Sequence, residues 1–317
     1  MEYWQIEHPI FTQDNKELFP AGSRVSEESL EALIASNKSP QTVLSLIQYG
    51  SIKKDLLSFL DKAPYSTLFC DSRQKKSIFD VMDKVEVISP IIECLNYYKK
   101  NDFYTYRHLL MVFVLTIFLA KYLIPEYRPG FQDFAAGPAH DFGKLCVPLD
   151  ILKKKGALTK NEKKILRHHP IAGYVLLSYY HRDPRNIIAI VARDHHESKD
   201  GSGYPRGIFQ SRKMVEIVTA GDIYDALISA RPYRSASYSN RAALEELTLM
   251  AETNKIGWDV AKALIGQYRS DKPDIMNIKI SEERRSPLPP ENAYGMLKNG
   301  NDSPIPSVFT KKGEKRS

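Results

Sequence analysis

The side chains of this sequence best suited to chemistry are imidazoles and carboxylates. In chain order they are His108, His140-Asp141, His169, the adjacent pair His195-His196, and Asp222. Seven of the eight histidines fall between positions 108 and 196. A mixed set of imidazole and carboxylate ligands without thiolate suits iron, manganese or zinc. Asp141 could bridge two ions, and seven candidate ligands exceed what one ion uses, so the count favours a two-metal site. Taken singly each signal is weak. Adjacent histidines are common on solvent-facing turns, and a histidine heading an apolar helix, as His108 does, is more often a core or cap residue. Five clusters together reverse that preference. The histidine pair then runs through Glu197 into Asp200-Gly201-Ser202-Gly203-Tyr204-Pro205, where glycine and proline force a loop.

To converge, these residues need elements that aim them at one point. From about residue 90 to 270, apolar residues recur at spacings of three and four while strand-like alternation is scarce. The pattern predicts an all-α bundle, in which several helices can direct side chains inward. The most apolar run, Leu109 to Ala120, has twelve residues. That is short of the ~20 that cross a bilayer, so it reads as a buried helix with no membrane partner. Upstream, residues 9 to 25 suggest a small strand or hairpin around Gln13-Asp14-Asn15-Lys16. Ser26 looks like the cap of a helix that has Glu27 and Glu28 in its first turn and ends before Pro40. Gln41 to Tyr49 and Ile52 to Leu60 read as helical, Pro64 closes that stretch, and Ser72 to Lys100 reads as a mostly helical connector interrupted at Pro90. The expected organisation is a small α+β or mostly helical domain at 1–89, the all-α domain at 90–270, and a proline-rich, basic, flexible tail at 271–317.

With 43% hydrophobic and 26% charged residues the composition is globular. A formal charge of +7 favours anionic partners without choosing among them. Cys70, Cys94 and Cys146 are too few and too scattered for a disulfide framework, which points to a reducing compartment. The opening Met1-Glu2-Tyr3-Trp4 has no basic or apolar run of a signal peptide. A soluble, cytoplasmic protein is expected.

Longer motifs surround the candidate ligands: Tyr104-Thr105-Tyr106-Arg107-His108, His140-Asp141-Phe142-Gly143-Lys144, Leu158-Thr159 with Glu162, and His169-Pro170 with Gly173. There follow His195-His196-Glu197 with its Gly203-Tyr204-Pro205 loop, Gly221-Asp222-Ile223-Tyr224-Asp225-Ala226-Leu227, and Arg231-Pro232-Tyr233-Arg234. In order, spacing and identity over roughly residues 100 to 265, this series resembles the HD-GYP domain. That domain is a subgroup of the HD phosphohydrolase superfamily that hydrolyses the bacterial second messenger cyclic di-GMP.

The resemblance implies an all-α HD-domain bundle in which His108, His140, Asp141 and Asp222 hold one divalent ion. Asp141, His169, His195 and His196 would hold the second, with His169 rather than His168 matching the family position before proline. Two ions about 3.5–4 Å apart would share a hydroxide and attack the phosphodiester in line, opening the ring to linear pGpG, with a further cut to GMP as an extension. Lys144, three residues after Asp141, is expected to meet a substrate phosphate, and Asp225, three residues after Asp222, to orient a ligand or the attacking water. Arg231 and Arg234 are candidates for phosphate or guanine edges. Tyr204 shapes the pocket edge, and the Gly203-Tyr204-Pro205 loop is associated in the family with protein partners. A homodimer is a further expectation, and nucleic acid is not expected as a partner.

The sequence departs from the pattern in three places. Some family members use a glutamate four residues before the first histidine for a third metal; here that position is Tyr104, so two metals are expected. Leu109 stands where a small hydroxyl residue is usual. Ala135-Ala136-Gly137-Pro138-Ala139 replaces an apolar helical run, and Pro138 is expected to kink the helix carrying His140 and Asp141. Two rival readings share this fold: a non-catalytic cyclic di-GMP effector, and a hydrolase of another cyclic dinucleotide such as a mixed guanine and adenine one.

Overall fold

The structure is a computed structural model, and it describes residues 3–38, 42–124, 131–230, 236–269, 271, 273–281, 283 and 286. Four short strands open the chain: β1 (Tyr3–Gln5), β2 (Ile10–Phe11), β3 (Glu17–Phe19) and β4 (Arg24–Ser26). They form two antiparallel pairs, β1 with β4 and β2 with β3. The Gln13–Lys16 stretch makes the expected turn, with Asn15 at φ 61°, a left-handed conformation that asparagine tolerates. Ser26 caps α1 (Glu27–Ser36) in a reciprocal box: its side chain accepts from the Ser29 amide, and the Ser29 hydroxyl accepts from the Ser26 amide.

The next stretch departs from the sequence expectation. Val43–Ser45, inside the segment predicted helical, is a strand, β5. After it come α2 (Ile52–Leu60) and α3 (Ser72–Met82). The chain then returns as β6 (Glu86–Ile88), antiparallel to β5, with Leu44 opposite Val87. β-Branched Thr42 and Val43 favour extended backbone, and a partner strand so far downstream leaves no mark on local periodicity. Pro90 lies in the first turn of α4 (Ser89–Asn101), where a missing N–H breaks no helical hydrogen bond.

At the centre is α5 (Phe103–Leu123), buried nearly continuously from Thr105 to Ala120. It is longer than the apolar run alone predicts, because the polar turn through His108 belongs to the same helix and Asp102 caps its start. By length and composition it could cross a membrane, but it is enclosed by protein, with 83% of its most apolar window buried. Around it come α6 (Ala136–Ala139), α7 (Leu149–Leu152), α8 (Lys160–Arg167), α9 (His169–His181), α10 (Ile187–Asp194), α11 (Lys213–Ile228), α12 (Asn240–Glu252) and α13 (Trp258–Gln267). α4, α6, α11 and α13 pack directly on α5, and α9 pairs with α10. One core runs from Ile6 to Leu264. Past α13 a 3-10 turn at Ile275–Asn277 brings Ile278 into contact with the bundle, where it is buried. Most of the expected tail lies outside the described residues.

Candidate metal centre

The five clusters come from five places in the bundle. His108 sits in the second turn of α5, and His140-Asp141 lies at the break between α6 and a 3-10 turn over Phe142–Cys146. His169 opens α9, His195-His196 follows α10 directly, and Asp222 is on α11. Asp141 is the hub. Its Oδ2 lies 3.4 Å from His140 Nε2 and 3.7 Å from His108 Nε2, while its Oδ1 lies 3.1 Å from His169 Nε2 and 3.7 Å from His195 Nε2. Asp222 Oδ1 closes one side, 3.1 Å from His108 Nε2 and 3.9 Å from His140 Nε2. His196 closes the other: ligand atoms of His169, His195 and His196 all fall within 4.8 Å of one another, as do those of His108, His140 and Asp222.

A close backbone approach makes the hub. A Cβ at Gly143 would lie 2.0 Å from the His169 carbonyl oxygen and 2.3 Å from the Gly173 amide nitrogen. Only glycine lets the 3-10 turn after Asp141 lie flat against α9. Pro138 lies within the first turn of α6. α6 is a single turn, and His140 Nδ1 donates to the Gly137 carbonyl at 2.7 Å, which fixes the ring in place.

Protonation follows from the partners of the other ring nitrogens. His140 Nδ1 faces a carbonyl, as do His169 Nδ1 (Leu166, 2.7 Å) and His195 Nδ1 (Ala192, 2.9 Å). Carbonyls only accept, so each Nδ1 carries the proton and each Nε2 presents a lone pair. Those lone pairs point at one another, His169 to His195 at 3.3 Å, and at the Asp141 carboxylate. Among the described residues, His140 Nε2 and Asp141 Oδ1 are both buried without a hydrogen-bond partner. Lone pairs and carboxylate oxygens crowded together repel unless cations lie among them, so the donor set fits divalent metal.

Electrostatics agree on the His169 and His196 side. Burial alone would neutralise Asp141, but Lys144 foremost outweighs it and holds the carboxyl well below the usual range; Asp222 is likewise held down, chiefly by His108. Burial lowers His169 and, with His195 and His169 as neighbours, lowers His196 strongly, which keeps both rings neutral as ligands must be. For His108 burial is outweighed by Asp222 and Asp225, which raise it to about 9. His108 is clamped between two carboxylates one helical turn apart, Asp222 at Nε2 and Asp225 at Nδ1 (2.6 Å). Asp225 itself is completely buried.

The remaining predicted residues divide. Lys144 Nζ pairs with Asp141 Oδ2 and is partly exposed. Tyr204 stacks on His196 with ring centroids 4.6 Å apart, and the Arg167 guanidinium lies 4.2 Å from its centroid. Arg231 and Arg234 lie outside the described residues. His168 is buried at the α8–α9 junction, outside the cluster, and burial lowers it to about 4.

Several contributors carry no sequence pattern that would single them out. Glu197 accepts the amides of Arg206 (2.6 Å) and Ile208 (3.1 Å), and Arg206 reaches Asp194 at 3.1 Å, so the loop after the histidine pair is tied down from below. Arg107 binds the Ser229 hydroxyl at 2.7 Å behind His108, and Tyr65 donates to Asp225. Arg107 stands next to His108 in sequence, the one available hint. Nothing marks Tyr65.

Residues 115–260 match the HD domain family. The match begins downstream of His108, whose place in the centre rests on geometry. Among curated proteins, the cyclic di-GMP phosphodiesterase response regulator RpfG of Xanthomonas campestris is 44% identical over 103 residues, covering 32% of this chain and 27% of its own length. A cyclic di-GMP phosphodiesterase of Pseudomonas aeruginosa is 35% identical over 215 residues, covering 63% of this chain and 50% of its own. Residues 115–260 are thus similar to the HD domain. A 3'3'-cGAMP-specific phosphodiesterase of Vibrio cholerae is 37% identical over 141 residues, 44% of this chain and 30% of that protein. The chain spans half or less of the length of these curated relatives.

Proposed function

We propose that the chain is a metal-dependent phosphodiesterase that opens cyclic di-GMP to linear pGpG, with a second cut to GMP as the further step. One observation carries the reading: three histidines with their Nδ1 protons committed to carbonyls turn bare Nε2 atoms toward one buried, charged aspartate. In this reading His108, His140, Asp141 and Asp222 would hold one ion, and Asp141, His169, His195 and His196 the second, iron or manganese before zinc. Such ions, when bound, supply Lewis acidity for a phosphodiester and for the attacking water.

The chain's own residues do the rest. Lys144, on the rim beside Asp141, offers an ammonium to a non-bridging phosphate oxygen. Asp225 keeps the His108 ring in one orientation. Tyr204 walls the His196 side. A cleft of about 840 Å³ opens against Tyr104 and Arg107, with Tyr104 stacked parallel to His108 at 6.1 Å between centroids. Arg231 and Arg234 are proposed for phosphate or guanine. The chain's charge of +7 suits an anionic substrate in a cytoplasmic setting.

Similarity to a cGAMP-specific enzyme supports one alternative, a mixed guanine and adenine cyclic dinucleotide. The metal ligands act on phosphate and do not distinguish bases. The test is turnover of cyclic di-GMP, 3'3'-cGAMP and pGpG by protein purified under reducing conditions and loaded with iron or manganese. Metal-dependent loss of cyclic di-GMP is expected. Faster loss of the mixed dinucleotide would reassign the substrate, and binding without turnover in every metal state would make the chain an effector.

A further inference from the structure

We infer that Tyr65, from the segment before the HD domain, is a positioning residue for the His108 side of the metal centre. The inference rests on the metal reading above and adds to it a contribution from outside the family match, which begins at residue 115. Asp225 holds the key position. Its Oδ2 takes the His108 Nδ1 proton at 2.6 Å, while its Oδ1 takes Ser229 Oγ at 3.0 Å, Arg107 Nη2 at 3.4 Å and the Tyr65 hydroxyl. A carboxylate engaged at both oxygens cannot rotate, and the plane it keeps is the plane His108 must follow. Three of these donors are within or beside the HD segment; Tyr65 alone is far upstream.

The tyrosine is held for that task. It is 1% exposed, stacks on Phe69 with centroids 6.3 Å apart, and lies under the Arg107 guanidinium at 5.7 Å. Removal of the hydroxyl leaves this packing intact but takes one donor from a fully buried carboxylate. Partners of this kind, one bond behind a metal ligand, change affinity by about 10–100-fold when lost. A tyrosine that merely fills the core would not discriminate between the two halves of the centre, because its packing touches neither.

The experiment uses the full chain, Mn²⁺ as probe, and Tyr65→Phe. Tyr98→Phe serves as control, since Tyr98 is as deeply buried but its hydroxyl has no hydrogen-bond partner among the described residues. Calorimetric titration of the parent should give two equivalents, with the electron paramagnetic resonance spectrum of a coupled pair. Tyr65→Phe should keep one equivalent at parental affinity and weaken the other about 10–100-fold, leaving a single-ion spectrum at limiting metal. Tyr98→Phe should match the parent. The inference is overturned by Tyr65→Phe binding both ions within about threefold of the parent, by equal weakening at both sites, or by identical behaviour of the two variants. A parent that binds no manganese overturns the metal reading itself, and this inference with it.

Discussion

Asp141 faces both halves of the centre, one carboxylate oxygen toward His108 and His140 and the other toward His169 and His195. Asp141→Ala is therefore expected to lower bound metal below one equivalent and turnover by well over 100-fold, more than loss of a neighbouring hydrogen-bond partner does. Metal analysis and product chromatography on the same sample check it, and near-normal activity would sink the bridging role. Residues like Asp141 are legible in sequence because the chemistry needs scarce types: five of the eight histidines gather in the centre. Tyr65 is not legible, because tyrosine is a common core residue and its partner Asp225 is 160 positions away. Lys144 sits between these cases. Its i,i+3 spacing from Asp141 is visible in the sequence, but the ion pair that the spacing forms is not.

Among the elements, the 3-10 turn after Asp141 depends on its contact with α9. Gly143→Ala would drive a Cβ into the His169 and Gly173 backbones, whereas a Cβ at Gly173 would meet Gly143 nitrogen at 3.2 Å and Ala192 Cβ at 3.3 Å. The first clash requires backbone to move and the second a shift of a few tenths of an ångström. Gly143→Ala should cost about 3 kcal/mol or more and disrupt metal binding, and Gly173→Ala about 1 kcal/mol; urea denaturation and metal titration compare them, and equal effects would refute the close-packing argument. At the other end of α9, a helix C-terminus favours a charged His181 by about 0.3–1 kcal/mol, yet burial dominates and lowers the ring to about 4. The unfolded ring titrates near its ordinary value of about 6.5, so between these values the unfolded chain binds the extra proton and stability rises with pH. His181 should contribute stability above about pH 6.5 and lose it toward about pH 4, on the order of 2 kcal/mol, and His181→Gln should flatten that part of the profile. Identical pH profiles for variant and parent would contradict this. Helices with strong apolar spacing or a clear cap, such as α1 and α5, were legible from the sequence. β5 was not, since its three residues gain their strand character from β6.

For the whole molecule, the question is how far the proposed unit at residues 1–89 can be separated from 90–270. Polar ties cross the division: Asn37 Nδ2 donates to the Tyr179 carbonyl at 2.8 Å, and Asp55 takes Lys99 at 2.6 Å and the Tyr106 hydroxyl at 2.7 Å. The Asp55–Lys99 pair is partly exposed and contributes about 0–1 kcal/mol. Apolar burial carries more. Leu56, Leu60 and Phe69 are completely buried in the core shared with α5, and Phe69 meets Phe118 edge-on at 5.4 Å. At about 1.5–3 kcal/mol each, these three account for roughly 5–9 kcal/mol, comparable with the ~5–15 kcal/mol that keeps a whole domain folded. A chain of residues 90–317 should therefore lack a cooperative thermal transition and bind less than two equivalents of manganese, even though every proposed ligand is present. Calorimetry and metal titration of this truncation beside the full chain decide the matter. A sharp transition with two bound ions would show that the helical segment is self-sufficient, and that the N-terminal residues cover the site without building it.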